Sequence, residues 1–176
     1  EMTLAEKNSI SQRGKAFKKM AYYLNHEFGS QHIVVPVAII IKDGKILLAK
    51  RYDPHNSEYH GKWELSGGIM EMGENIEDNL IREVQEELGY KVEIIEKINH
   101  IHIHHRVGKD FEYQVYLIPI VCRIIEETNK FNDGEVMETF WIEPDDYINY
   151  DYIADNKTMM KNIIPAIKEI IKKNNL

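Results

Sequence analysis

Apolar positions in this 176-residue chain follow two different rhythms. Nearly every residue from Val34 to Ile41 is apolar, Asp43-Gly44 interrupts, and a second run leads from Ile46 through Ala49 to Lys50-Arg51. Two such runs about an Asp-Gly pair predict a β-hairpin. A short strand is expected over Gly61-Lys62-Trp63-Glu64-Leu65, and two long ones over Lys91–His104 and Phe111–Ile124, around Val107-Gly108-Lys109-Asp110. Met137–Ile142 predicts a further strand that carries Trp141. Between these runs the period lengthens: Ile76, Leu80, Val84 and Leu88 recur every fourth residue, the apolar stripe of a helix. Asn75 is a suitable N-cap with Asp78 three residues on, and Gly89 suits the left-handed residue that ends a helix, so the helix is expected from Ile76 to Leu88.

The two ends of the chain carry weaker patterns. Residues 9–28 read as a helix stopped by Gly29, with Lys15, Lys18 and Lys19 beside Phe17, Met20, Tyr23 and Leu24. Such a basic amphipathic helix suits a membrane surface or an acidic partner; packing on the domain, or on a second copy of the chain in a homodimer, is the reading preferred here. Residues 157–173 predict a final helix with a break near Pro165. With 43% hydrophobic residues the chain is long enough for one globular domain of two or three layers.

Composition removes several classes of function. No stretch of 18 apolar residues is present, so no transmembrane helix and no membrane partner are expected. No signal-peptide pattern follows Glu1, and Cys122 is a single thiol in an apolar run, expected to be buried and inert. A cytoplasmic location follows as the default. The net charge of −7 argues against nucleic acid as a partner, because non-specific binding there rests on Lys and Arg.

The candidate chemistry lies on the middle helix. At ~100° per residue, Glu83, Glu86 and Glu87 share an arc of roughly 100° beside the apolar stripe. Like charges three and four residues apart cost a few tenths of a kcal/mol per pair, and desolvation beside a buried stripe adds to that. A solvated acidic face is the plain alternative. Hard divalent cations such as Mg²⁺ take oxygen ligands, one or two carboxylates among them, and complete their shell with water and substrate phosphates. The flanking glycines and Arg82 favour the metal over the solvated face.

Gly68, Glu74, Arg82, Glu83, Val84, Glu86, Glu87 and Gly89 stand at the spacing of the Nudix box, and the chain resembles the Nudix hydrolases of the MutT-like kind. Two positions depart: Tyr90 replaces the usual aliphatic residue, and Ser66 precedes the twin glycine where proline is frequent. The order of hairpin, tryptophan strand, glycine turn and helix is similar as well, and the likeness covers about residues 33–170. It implies an α/β/α sandwich with a central mixed sheet, a domain placed over residues 33–176; the pattern of residues 9–28 adds a helical extension over residues 1–32.

The resemblance also implies roles. Water attacks a diphosphate with Mg²⁺, or Mn²⁺, as cofactor; Glu83, Glu86, Glu87 and the Gly68 carbonyl are the expected ligands, and Arg82 holds Glu74 in place. Glu138 is expected as the general base or as ligand to an extra metal, with Glu86 an equal candidate for the base. Glu138 and Glu135 are expected in the loop before Trp141. Arg51 is expected at a phosphate, Trp63 near a nucleobase or in the core, and Asp155 or Asn156 at a base edge. His100, His102 and His104 alternate with isoleucines on what reads as a surface-facing strand, and a metal role for them is disfavoured.

Three functions remain open. The first is cleavage of a nucleoside triphosphate to monophosphate and pyrophosphate. The second keeps the chemistry on a nucleotide sugar, dinucleoside polyphosphate or other diphosphate conjugate; the proline that marks ADP-ribose cleavage in similar proteins is replaced by Arg106. The third is a non-catalytic nucleotide sensor, which the intact set of box glutamates disfavours.

Overall fold

A computed structural model of the chain describes residues 30–107, 112–128 and 134–176; the helix expected over residues 9–28 lies outside them. The chain divides into two units. One is Val34–His102 with Tyr116–Leu176; the other is Glu1–Ile33 with Ile103–Val115, described only over residues 30–33, 103–107 and 112–115.

Strand β1 (Ser30–Lys42) and strand β2 (Lys45–Arg51) form the expected hairpin, with Ile41 opposite Ile46. Its turn residues Asp43 and Gly44 both take positive φ, 52° and 77°, which matches the twist of the strands they join. Then come β3 (Trp63–Glu64), α1 (Ile76–Leu88), β4 (Tyr90–Lys97), β5 (His102–Val107), β6 (Glu112–Glu127), β7 (Val136–Ile142), a 3₁₀ turn at Pro144–Asn149, and α2 (Asn156–Asn174). The sheet order is β3-β2-β1-β6-β4, with β7 paired to β2 and β5 paired to β6. This is the mixed sheet flanked by helices of an α/β/α sandwich.

Strand parity decides which side chains meet which helix. β7 lies antiparallel along β2, with Leu47 opposite Trp141, Ala49 opposite Thr139 and Lys50 opposite Glu138. Leu47 is buried in one cluster with Ala38, Ile40, Val92, Ile120, Cys122 and, from α1, Leu80 and Val84; Trp141 packs against it. Odd-numbered positions of β2, and of β7 from Thr139 to Trp141, therefore face α1, while Lys50 and Glu138 face away from it. Burying Leu80 and Val84 contributes roughly 1.5–3 kcal/mol each, so packing rather than propensity fixes the helix. Ile39, Ile41, Ile46, Leu48 and Ile142 are buried on the opposite face, the side to which α2 brings Met159, Met160, Ile163 and Ile167.

Two sequence expectations need correction. α2 does not break at Pro165, which sits inside a continuous helix on its exposed side. A mid-helix proline costs ~3 kcal/mol, but the buried stripe of Met159, Met160, Ile163, Ile164, Ile167 and Ile170 outweighs it. The long strand expected over Lys91–His104 is two strands: the chain turns after Lys97, where Ile98 N–H donates to Pro119 O at 3.1 Å and His100 N–H to Ile98 O at 2.7 Å.

Candidate active site

Asn75 caps α1 by accepting from Asp78 N–H at 2.8 Å, and Gly89 closes it at φ 69°. The loop before the helix is tied to it through Glu74. Arg82 grips both oxygens, Nε to Oε1 at 2.7 Å and Nη2 to Oε2 at 3.1 Å, while Asn79 Nδ2 and Glu71 N–H each donate to Oε2 at 2.9 Å. Those bonds, Arg82's first, hold the Glu74 carboxyl down at about 2. Asn79, fully buried, also donates to Ile69 O at 3.1 Å, while its own Oδ1 meets no partner among the described residues. Sequence reasoning missed Asn79; the signal was an amide beside Leu80 on the buried side of the helix.

Arg82 reaches two more carboxylates with Nη1, Glu83 at 2.7 Å and Glu86 at 2.9 Å. Its proton is held more firmly than usual, chiefly by the bond to Glu74. Burial lifts the Glu83 carboxyl and Arg82 opposes that. Glu86 stands at the outer end of the set, its side chain 52% exposed.

Glu87 is the most buried of the three at 6% exposure. Its Oε2 accepts from Ser66 Oγ at 2.6 Å and from Gly67 N–H at 3.2 Å. Burial pushes its carboxyl up to about 8; the charges of Glu64 and Glu83 add to the rise, and the bonds from Ser66 and Gly67 oppose it. Ser66 is thus more than a relaxed substitute for proline, since its hydroxyl orients this carboxylate. Glu64 was also missed: it lies opposite Ala49, so it shares the α1 face with Glu87, and its side chain is only 12% exposed.

The twin glycine permits the close approach. A Cβ on Gly67 would lie 2.2 Å from Pro36 O, and one on Gly68 would lie 2.3–2.5 Å from the Glu83 carboxylate. Ser66 O accepts from Ala38 N–H at 2.8 Å, which seats the turn on β1. Backbone and carboxylate are therefore packed face to face, in a place where negative charge is concentrated and partly desolvated. That suits a hard cation. Among the described residues no three His, Cys, Asp or Glu side chains converge as a ready ligand set; Arg82 holds oxygens of Glu83 and Glu86, and Ser66 holds one of Glu87. The donor chemistry and the Gly68 cradle fit a divalent ion once Arg82 yields those oxygens.

The remaining sequence candidates are dispersed. Glu138 belongs to β7 rather than to the loop before it, and its carboxylate meets Lys50 at 2.8 Å on the face turned away from α1. Register parity keeps it apart from the box carboxylates. Trp63 is on that same face, under Lys50 (5.4 Å to the ring) and against Tyr150 and Phe140, at ring distances of 5.6 and 6.3 Å. Arg51 is on the α1 side and already engaged, with Nη1 2.7 Å from Glu135 and 3.7 Å from Glu64. Asp155 Oδ2 meets His102 Nε2 at 3.0 Å, and Asn156 is buried at 7% exposure. The surface-facing reading of the histidines is reversed at His102, which is 7% exposed, while Ile101 and Ile103 are the outward residues at 58% and 52%.

A mixed sheet between helices, with a glycine turn pressed on the carboxylates of a capped helix, defines a Nudix hydrolase site. Residues 31–163 match the NUDIX domain family, and the chain belongs to that family. It is an enzyme class acting on phosphoanhydride bonds. Among curated relatives, the nucleoside triphosphatase NudI of Escherichia fergusonii is 34% identical over 134 residues, covering 72% of this chain and 92% of that protein. Among solved structures, the ORF135 protein of E. coli aligns with a TM-score of 0.58 at 24% identity, over 77% of this chain and 91% of that one. An ADP-ribose pyrophosphatase from Streptococcus suis aligns with a TM-score of 0.54 at 21% identity, over 81% and 92%. Both structures share the fold. Among the described residues no helix is long and apolar enough to cross a membrane.

Proposed function

We propose that this chain hydrolyses a nucleoside triphosphate to the nucleoside monophosphate and pyrophosphate. The observation that carries the reading is the crowding of Glu83 against Gly68 and of Glu87 against Ser66 and Gly67 in the same turn, a set of anions whose mutual repulsion and burial a divalent cation relieves. The 34% identity to nucleoside triphosphatases supports the choice of substrate.

Glu83, Glu86, Glu87 and the Gly68 carbonyl would hold Mg²⁺, with Mn²⁺ as a substitute. The bound ion would draw charge from the phosphate oxygens and acidify water. The chain's own residues then divide the remaining work. Arg82 orients Glu83 and Glu86 and ties them to Glu74, so the acidic edge of α1 and the loop move as one piece. Arg51 binds phosphate. Glu86 is the general base: it is the most exposed of the three carboxylates, and its Oε1 takes the proton as water oxygen bonds to phosphorus and pyrophosphate leaves. Glu138 has no part in this step, its partner being Lys50 on the other face. Asp155, oriented by His102, meets a base edge, whereas Trp63 serves packing. A cytoplasmic setting completes the reading.

The test is a panel of nucleoside triphosphates, nucleotide sugars, dinucleoside polyphosphates and ADP-ribose, scored for phosphate and pyrophosphate release with Mg²⁺ and without it. Pyrophosphate from triphosphates is expected, with most of it lost in Glu87→Gln. Release only from the conjugates would move the substrate class; saturable nucleotide binding without turnover would make the domain a sensor.

A further inference from the structure

Arg51 is held in an unusual way for a residue meant to receive phosphate. A bulge between Lys50 and Arg51 shifts the pairing so that Arg51 lies opposite Val136, which brings Glu135 beside the guanidinium. Bulges re-aim side chains in this manner. Tyr52 N–H donates to the Glu135 carbonyl at 2.6 Å, so the backbone of Glu135 is fixed against the end of β2. Its carboxylate then lies 2.7 Å from Arg51 Nη1. Glu64 approaches the same nitrogen at 3.7 Å from the inner side. The two carboxylates differ in exposure: the Glu64 side chain is 12% exposed and that of Glu135 48%. Burial alone would loosen the proton of Arg51, but Glu64, Glu135, Glu87 and Asp53 together outweigh it.

We propose that Glu135 is a tethered competitor for the polyphosphate subsite at Arg51, the specificity-determining residue that an incoming anion displaces while Glu64 keeps the guanidinium aimed. This rests on the phosphate-binding reading of Arg51 given above. A polyphosphate carries several charges and matches the arginine fork with two oxygens, so it outcompetes a single half-exposed carboxylate. A monophosphate has less charge to offer, so Glu135 reclaims Arg51 as product forms. The competitor favours triphosphate over product without touching the reacting phosphorus.

The experiment is calorimetric binding of inorganic tripolyphosphate to the full chain, to Glu135→Gln and to Glu138→Gln. The two variants remove one charge each from comparably exposed positions three residues apart, but Glu138 is paired to Lys50 on the other face. Half-exposed ion pairs of this kind correspond to about two- to fivefold in an equilibrium constant. Glu135→Gln is therefore expected to bind tripolyphosphate about two- to fivefold more tightly, and Glu138→Gln to bind as the unaltered chain does. Unchanged or weaker binding in Glu135→Gln would overturn the proposal, as would equal tightening in both variants, which reports bulk charge alone. Nucleotide turnover is scored separately. Tightening in Glu135→Gln without turnover of any nucleoside triphosphate would leave the Arg51 subsite standing and remove the hydrolytic substrate reading.

Discussion

Replacing Gly68 with alanine separates the chemistry of this site from its stability. A Cβ built at Gly68 lies 2.3 Å from Glu83 Cδ and 2.4 and 2.5 Å from its oxygens, about 1 Å inside ordinary contact. The backbone at Gly68 does not require glycine, since it is absent from the residues with positive φ. Glu83 must therefore swing away, and as the end of a flexible side chain it can do so at little cost to the fold. Glu83 then loses its 2.7 Å pairing with Arg82, about 0.2–1 kcal/mol, while alanine restricts the unfolded chain by about 0.4–1 kcal/mol, so the net change stays within about 1 kcal/mol, or about 2–4 °C in Tm. Activity is another matter: a misplacement of about 1 Å at a reacting centre costs on the order of 100-fold, and the Gly68 carbonyl and Glu83 are disturbed together. The assay pairs Mg²⁺-dependent pyrophosphate release with thermal unfolding. A drop of about 100-fold in kcat/KM at nearly constant Tm is expected. Full activity in Gly68→Ala would refute the claim that this contact shapes the site, and a collapse in Tm would refute the claim that only Glu83 has to move.

Three further outcomes follow from the same geometry. Ser66→Ala removes a 2.6 Å bond to the buried Glu87 carboxyl; leaving a buried polar group without its partner costs about 1–3 kcal/mol, so Tm should fall by about 2–12 °C and more Mg²⁺ should be needed for half-maximal rate, whereas an unaltered metal titration would show that Glu87 does not depend on Ser66. Glu138→Gln should turn over substrate at the rate of the unaltered chain across pH, and a lost acidic limb in its pH profile would return Glu138 to the general-base role. Glu74 has a folded pKa of about 2 against an ordinary 4.5, so its stabilising effect is complete above about pH 4.5 and is lost as pH falls toward 2. The Tm gap between the chain and Glu74→Gln should close over that interval; a gap constant with pH would mean the Arg82 grip is not electrostatic.

Everything with a short range was legible in the order of residues alone. The bounds of α1, its Asn75 cap and its Gly89 stop, the Asp43-Gly44 hairpin, and the grouping of Glu83, Glu86 and Glu87 on one edge all follow from dihedral preference and a fixed rotation per residue, which neighbours along the chain carry with them. Tertiary structure decided what depends on registration between distant segments. One residue of parity along β7 sets Glu138 against Lys50 instead of the box, and the extra residue of β7 opposite the Lys50–Arg51 step sets Val136 against Arg51, whose guanidinium lies between Glu64 and Glu135. Nothing local in His102 announces burial against Asp155, and nothing local in Ser66 announces a bond to a carboxylate 21 residues on. Likewise Pro165 kept its helix because the buried stripe of α2 outweighs one missing hydrogen bond. Burial and strand pairing are sums over the whole fold, so the electrostatics of Glu87 and the partner of each charged side chain became legible only when the sheet was assembled.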